Sequence, residues 1–117
     1  MSELETNDGV GSPIMGIDRL IHEPARFSIM ANLHVVEEAD FLFLSRRIGL
    51  TRGNLSAHMR KLEEGGYIEV RKGFMGRRPH TVLTITKKGQ EAYKNYVSDI
   101  KNALQGFEKA RALRRKR

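Results

Sequence analysis

The stretch that decides the fold is Ser45-Arg46-Arg47-Ile48-Gly49-Leu50-Thr51-Arg52-Gly53-Asn54-Leu55. Two helices that cross at a tight turn need a small residue at the crossing and a residue tolerant of positive φ in the turn. They also need an apolar residue on the second helix that faces back. Ser45, Gly49 and Leu55 supply these in order. Leu44, Ile48, Leu50, Leu55, Met59 and Leu62 supply a shared core. The spacing predicts one helix over Phe41–Ile48, stopped by Gly49. It predicts a second over Arg52–Glu64, capped by Thr51 and ended by Gly65-Gly66. Residues 41–64 therefore read as a helix-turn-helix.

Working toward the C-terminus, Tyr67 to Phe74 alternates apolar and polar residues and predicts a strand. Met75-Gly76-Arg77-Arg78-Pro79-His80 reads as a long basic loop, and Thr81 to Ile85 as a β-branched return strand. The wing hairpin thus spans 67–85. Thr86 can cap a last helix over 87–113, followed by a basic tail at 114–117. Toward the N-terminus, Glu37 to Asp40 is a polar connection or short extended piece. Pro24 to about Val36 carries an apolar stripe of Phe27, Ile29, Met30 and Leu33. Residues 13–22, from Pro13 to His22, predict a short helix from the spacing of Ile14, Ile17, Leu20 and Ile21. Residues 1–12 are acidic, polar and expected to be disordered. The whole is a mainly α (α+β) fold, a winged helix-turn-helix over 13–113 with a long C-terminal dimerisation helix.

At about 100° per residue, Leu55, Met59 and Leu62 share one side of the second helix. Gly53, Ala57, Arg60, Lys61 and Glu64 share the other, flanked by Asn54 and Ser56. Small residues at the centre of an exposed face permit close approach to a groove. Arg52, Asn54 and Ser56 can then reach base edges, and Arg60 and Lys61 phosphates. His58 borders the core and is as readily structural. The hairpin holds Arg71, Lys72, Arg77, Arg78 and His80, with no acid after Glu69. An arginine pair on a narrow tip suits a minor groove or its flanking phosphates.

Charge supports a polyanion partner. The chain of 117 residues carries 21 Lys+Arg and 14 Asp+Glu, net +7. Residues 1–40 hold two bases and eight acids, net −6, whereas 41–117 hold 19 bases and six acids, net +13. A field that one-sided points to nucleic acid. There is no cysteine, which excludes disulfides, thiolate metal sites and a cysteine nucleophile. The four histidines are scattered and no phosphate loop, nucleophile elbow or dinucleotide fingerprint is present. No enzyme, cofactor or metal is expected. The longest apolar run, Phe41 to Leu44, is far too short to span a membrane. The first residues lack a secretory pattern, so a cytoplasmic location is the default.

In the last helix Tyr93, Val97, Ile100, Leu104 and Phe107 recur at +4, +3, +4, +3, the seam of a coiled coil. Such a stripe serves either pairing with a second copy or packing on its own domain. The helix length favours a homodimer. Tyr96 and Ala103 widen the stripe, and Ile14, Ile17, Leu20 and Ile21 can pack beside it. Leu42 and Phe43 are unexpectedly apolar; they either meet the dimer helices or are scattered surface residues.

Together these residues resemble the winged-helix transcriptional regulators of the MarR/ArsR-like group, in particular its small single-domain bacterial and archaeal members. The resemblance rests on Leu20-Ile21-His22-Glu23-Pro24-Ala25-Arg26, Phe41-x-x-Leu44 and Gly53-Asn54-Leu55-Ser56-Ala57-His58-Met59-Arg60-Lys61-Leu62-Glu63. Gly66-Tyr67-Ile68-Glu69-Val70-Arg71-Lys72, Arg77-Arg78-Pro79-x-Thr81 and Leu83-Thr84-Ile85-Thr86-x-x-Gly89 continue it. It covers about residues 14–100. It implies a homodimer on operator-like double-stranded DNA, with the Arg52–Glu64 helix in the major groove and the wing beside it. Thr51, Arg52, Asn54, Ser56, Ala57 and Arg60 then contact DNA, with Arg77 and Arg78 from the wing. Leu42 and Phe43 depart from the group's usual polar residues, and the basic stretch Arg111–Arg117 runs past its usual end. No effector site is identifiable. The alternative is a winged-helix module for RNA binding or protein–protein assembly.

Overall fold

The computed structural model describes residues 15–115. Within that range four helices and three strands follow in the order α1 (Pro24–Val36), β1 (Glu38–Asp40), α2 (Phe41–Ile48), α3 (Arg52–Glu64), β2 (Ile68–Met75), β3 (Arg78–Ile85) and α4 (Lys87–Arg115). The strands form one antiparallel sheet in the order β1-β3-β2. This is a winged helix with a long C-terminal helix.

Each boundary has a local cause. Pro24 opens α1, and the Glu23 side chain accepts from the Arg26 N–H at 2.7 Å. Asp40 caps α2, accepting from the Phe43 N–H at 3.0 Å. Gly49 ends α2 at φ 82°, a conformation any side chain would strain. The Ser45 hydroxyl donates to the Leu50 carbonyl at 2.7 Å. Ser45 is thus a lock on the turn, beyond being small. Thr51 caps α3 through the Asn54 N–H at 3.1 Å. Thr86 caps α4, accepting from the Gly89 N–H at 3.0 Å and donating to the Gly66 carbonyl at 2.7 Å.

The described residues form two compact units, 18–94 and 15–17 with 95–115. In the first, Ile29, Met30 and Leu33 of α1 are fully buried with Leu44 of α2, Leu55 and Leu62 of α3, Ile68 of β2 and Leu83 of β3. Each such side chain contributes about 1.5–3 kcal/mol when buried. This core holds the outer face of α3 and the wing in fixed relation. In the second unit Ile17, Tyr96 and Ala103 are buried.

Three expectations need correction. Residues 15–22 form turns, not helix. The Asp18 carboxylate accepts from the Leu20 and Ile21 N–H groups, at 2.9 and 3.2 Å, which offers the backbone an alternative to helical bonds. Pro13, Ile14 and the tail at 1–12 lie outside the described residues. The wing loop is not long: Met75 pairs with Arg78, leaving the two-residue turn Gly76-Arg77. Gly76 at φ 64° and Arg77 at ordinary φ make it a type II′ turn. Pro79 fits within β3 because β1 covers only Val82 to Thr84, so β3 has an open edge there. Finally, α4 runs to Arg115, so Arg114 and Arg115 are helical.

Candidate nucleic-acid interface

The outer face of α3 is open. Thr51, Arg52, Gly53, Asn54, Ala57, Arg60 and Lys61 are exposed, and Ser56 is half-buried. A Cβ added at Gly53 would meet no atom within 4 Å. Glycine weakens a helix relative to alanine, and no packing within the chain asks for it here. The helix is pinned from behind by His58, which sits 3.2 Å from the Arg26 guanidinium and 3.7 Å from the Glu23 carboxylate. Arg26 in turn donates to the Leu20 carbonyl at 2.6 Å. His58 is therefore a brace between α1 and α3.

The wing divides into free and engaged bases. Lys72, Arg77 and Arg78 are exposed, and Arg77 stands at the apex of the turn. Arg71 is exposed but pairs with the Glu38 carboxylate at 3.0 Å. That guanidinium, helped by the Thr84 hydroxyl, holds the Glu38 carboxyl below its ordinary pKa. His80 lies 3.1 Å from Asp40. The Asp40 carboxyl is held low first by the Phe43 N–H it caps, then by neighbours that include His80. Arg71 and His80 therefore anchor the wing to β1: Val82 of β3 lies opposite both Arg71 and Asp40, and each base reaches its carboxylate diagonally, offset by two residues, Arg71 to Glu38 and His80 to Asp40.

A concavity of about 490 Å³ joins the helix-turn-helix to the wing, lined by Phe41, Leu42, Arg46, Arg52, Arg78 and His80 among others. Arg46 is the residue sequence reasoning missed. Its signal was its place in the last turn of α2, six residues before Arg52, yet only the fold shows that both face the wing. Three arginines converge there, which suits phosphate oxygens. Leu42 lines the same concavity, and Phe43 is exposed on α2. Among the described residues no group of three or more His, Cys, Asp or Glu could hold a metal ion.

Of the residues expected at a dimer seam, several are occupied within the chain. Ile21 is fully buried, and Ile17 and Tyr96 are nearly so. They have no surface left for a partner. Leu20 is half-buried. Tyr93 stacks on Phe27 at 5.9 Å between ring centroids and lies 4.7 Å from His34. Val97 and Ile100 are half-buried, whereas Leu104 is 58% and Phe107 48% exposed.

A helix-turn-helix braced against a basic two-stranded wing defines the winged-helix class of DNA-binding proteins. The chain belongs to the family described as winged helix DNA-binding domain, whose profile matches residues 25–104. It is 38% identical over 82 residues to the uncharacterized protein MJ0432 of Methanocaldococcus jannaschii, covering 70% of this chain and 89% of that one. Its structure is similar to that of a transcriptional regulator homologue from Pyrococcus horikoshii OT3, with a TM-score of 0.71 and 33% identity over 77% of this chain and 89% of the other. The fold is also similar to that of a MarR protein from Peptoclostridium difficile, at TM-score 0.59 and 16% identity over 73% and 54% of the two chains.

Proposed function

We propose that the chain is a transcription regulator that binds a specific double-stranded DNA sequence as a homodimer. In this reading α3 lies in the major groove and the wing on the adjacent minor groove and backbone. The observation that carries it is the exposed face of α3, small at Gly53 and Ala57 and flanked by Arg52, Asn54, Arg60 and Lys61. Arg78 of the wing and Arg46 line the shared concavity beside it, together with Arg52. Ser56 of α3 is half-buried.

Arg71 and His80 serve here mainly as wing anchors, because both already have carboxylate partners. The dimer seam narrows to Val97, Ile100, Leu104 and Phe107. Large apolar side chains as exposed as Leu104 and Phe107 on one helix stripe support pairing with a second copy. A twofold dimer would set two α3 helices one DNA turn apart, about 34 Å. In this reading the protein acts on DNA in the cytoplasm, as a binding protein rather than an enzyme. No helix among the described residues is long and apolar enough to cross a membrane.

The test is a gel shift of the chain's own upstream region at two salt concentrations. A sequence-preferring complex that weakens steeply with salt supports the reading. Absence of any duplex complex at low salt refutes it.

A further inference from the structure

We propose that the wing tip carries an apolar wedge: Phe74 inserts into the minor groove and unstacks a base step. The inference rests on the duplex-DNA reading above and adds DNA deformation to it.

Phe74 is 74% exposed and Met75 63%, although Ile68, Leu83 and Ile85 of the same hairpin are buried. Burial therefore explains the lower hairpin and leaves the tip without a packing role. The tip is narrow. Register places Met75 opposite Arg78 and Phe74 opposite Pro79, one and two rungs from the turn. A single side chain projecting from the turn end, rather than the whole ribbon, is what a minor groove about 6 Å wide admits. The surroundings select an anionic partner: no acid occurs between Val70 and Gln90, whereas Lys72, Arg77 and Arg78 do. Cβ atoms added at Gly73 or Gly76 would meet nothing within 4 Å. Phe74 thus stands clear between Gly73 and Gly76, as an inserting side chain must, while Met75 points to the opposite face of the strand.

Position completes the case. Pro79, the cross-strand partner of Phe74, lines the same concavity as Arg52 at the start of α3. With α3 in the major groove, the hairpin reaches along the same DNA face to the neighbouring minor groove. Apolar wedges flanked by cations partially unstack a step and kink the duplex.

The experiment uses the full chain and a sequence-selected duplex carrying a fluorescent adenine analogue that brightens on unstacking, placed stepwise along the wing-facing segment. Fluorescence rises at one step with the parent chain. Phe74→Ala abolishes the rise and weakens binding on the order of tenfold, with an unchanged salt slope, because no phosphate contact is lost. Phe74→Leu retains most of both. Arg77→Ala does the reverse, lowering the slope while keeping the rise. Tight binding by the parent without brightening at any step overturns the wedge and leaves the DNA reading intact. Loss of affinity in Phe74→Ala without a parent rise also overturns it. So does binding of the parent to phosphatidylserine vesicles that Phe74→Ala abolishes while its DNA binding stays unchanged. Failure of the parent to bind any duplex at low salt overturns the DNA reading itself.

Discussion

Replacing both Arg77 and Arg78 with alanine tests whether the wing sits on phosphates. Both side chains are exposed and neither pairs with a carboxylate among the described residues, so the change should leave the fold intact. Each neutralised phosphate contributes about 0.9 to the log–log salt slope. A dimer carries four such arginines, so the double variant should bind with a slope shallower by about 3.6. Between 50 and 200 mM salt, a change of about 0.6 log units, the parent should lose about 150-fold more affinity than the variant. Arg71 offers an internal control, since its guanidinium is already 3.0 Å from Glu38. Arg71→Ala should change the slope by less than half as much per residue. Glu38→Gln should free Arg71 and strengthen binding a few-fold. Fluorescence anisotropy across a salt series reads all four proteins. An unchanged slope in the double variant would show that the wing does not touch the backbone.

The remaining predictions concern the scaffold. A Cβ at Gly89 would collide with the Tyr67 carbonyl where α4 leaves the sheet. Gly89→Ala should therefore lose about 3 kcal/mol, measured by urea unfolding, and parent-like stability would contradict the packing. Tyr67 donates to Asp18, and burial first, then this bond, pushes its phenol up to about 12. The raised value favours the protonated phenol in the fold, so its contribution is fully present below pH 10 and lost as pH rises from 10 toward 12. Tyr67→Phe should flatten the stability curve in that window; identical curves would remove the assignment. Leu104→Glu with Phe107→Glu should yield folded monomers by sedimentation, and a persistent dimer would move the seam elsewhere.

The helix-turn-helix was legible because its determinants are local. A small residue, a left-handed glycine and a threonine cap each act within one turn of chain. The charge asymmetry mapped only in part: the wing holds four bases and α3 three, whereas ten of the 19 lie in residues 87–117. What escaped needed tertiary knowledge. Ile14, Ile17, Leu20 and Ile21 carry helical spacing, yet the Asp18 carboxylate captures the local N–H groups and turns the chain. Arg78-Pro79-His80 reads as loop, because only an open sheet edge makes proline acceptable there. Tyr93 has the period of a seam residue, and nothing in the period shows that Phe27 and His34 occupy it. Arg46 and the pairings of Arg71 and His80 required the register of β1 on β3, and three residues are too few to announce a strand.

The most direct test of the central claim is selection of bound sequences from a random duplex pool by the purified full chain, followed by anisotropy titration of the winner. The account predicts an enriched palindrome whose half-sites are about 10 base pairs apart, bound at least about a thousandfold more tightly than unselected duplex. No enrichment, with equal affinity for every duplex, would contradict it.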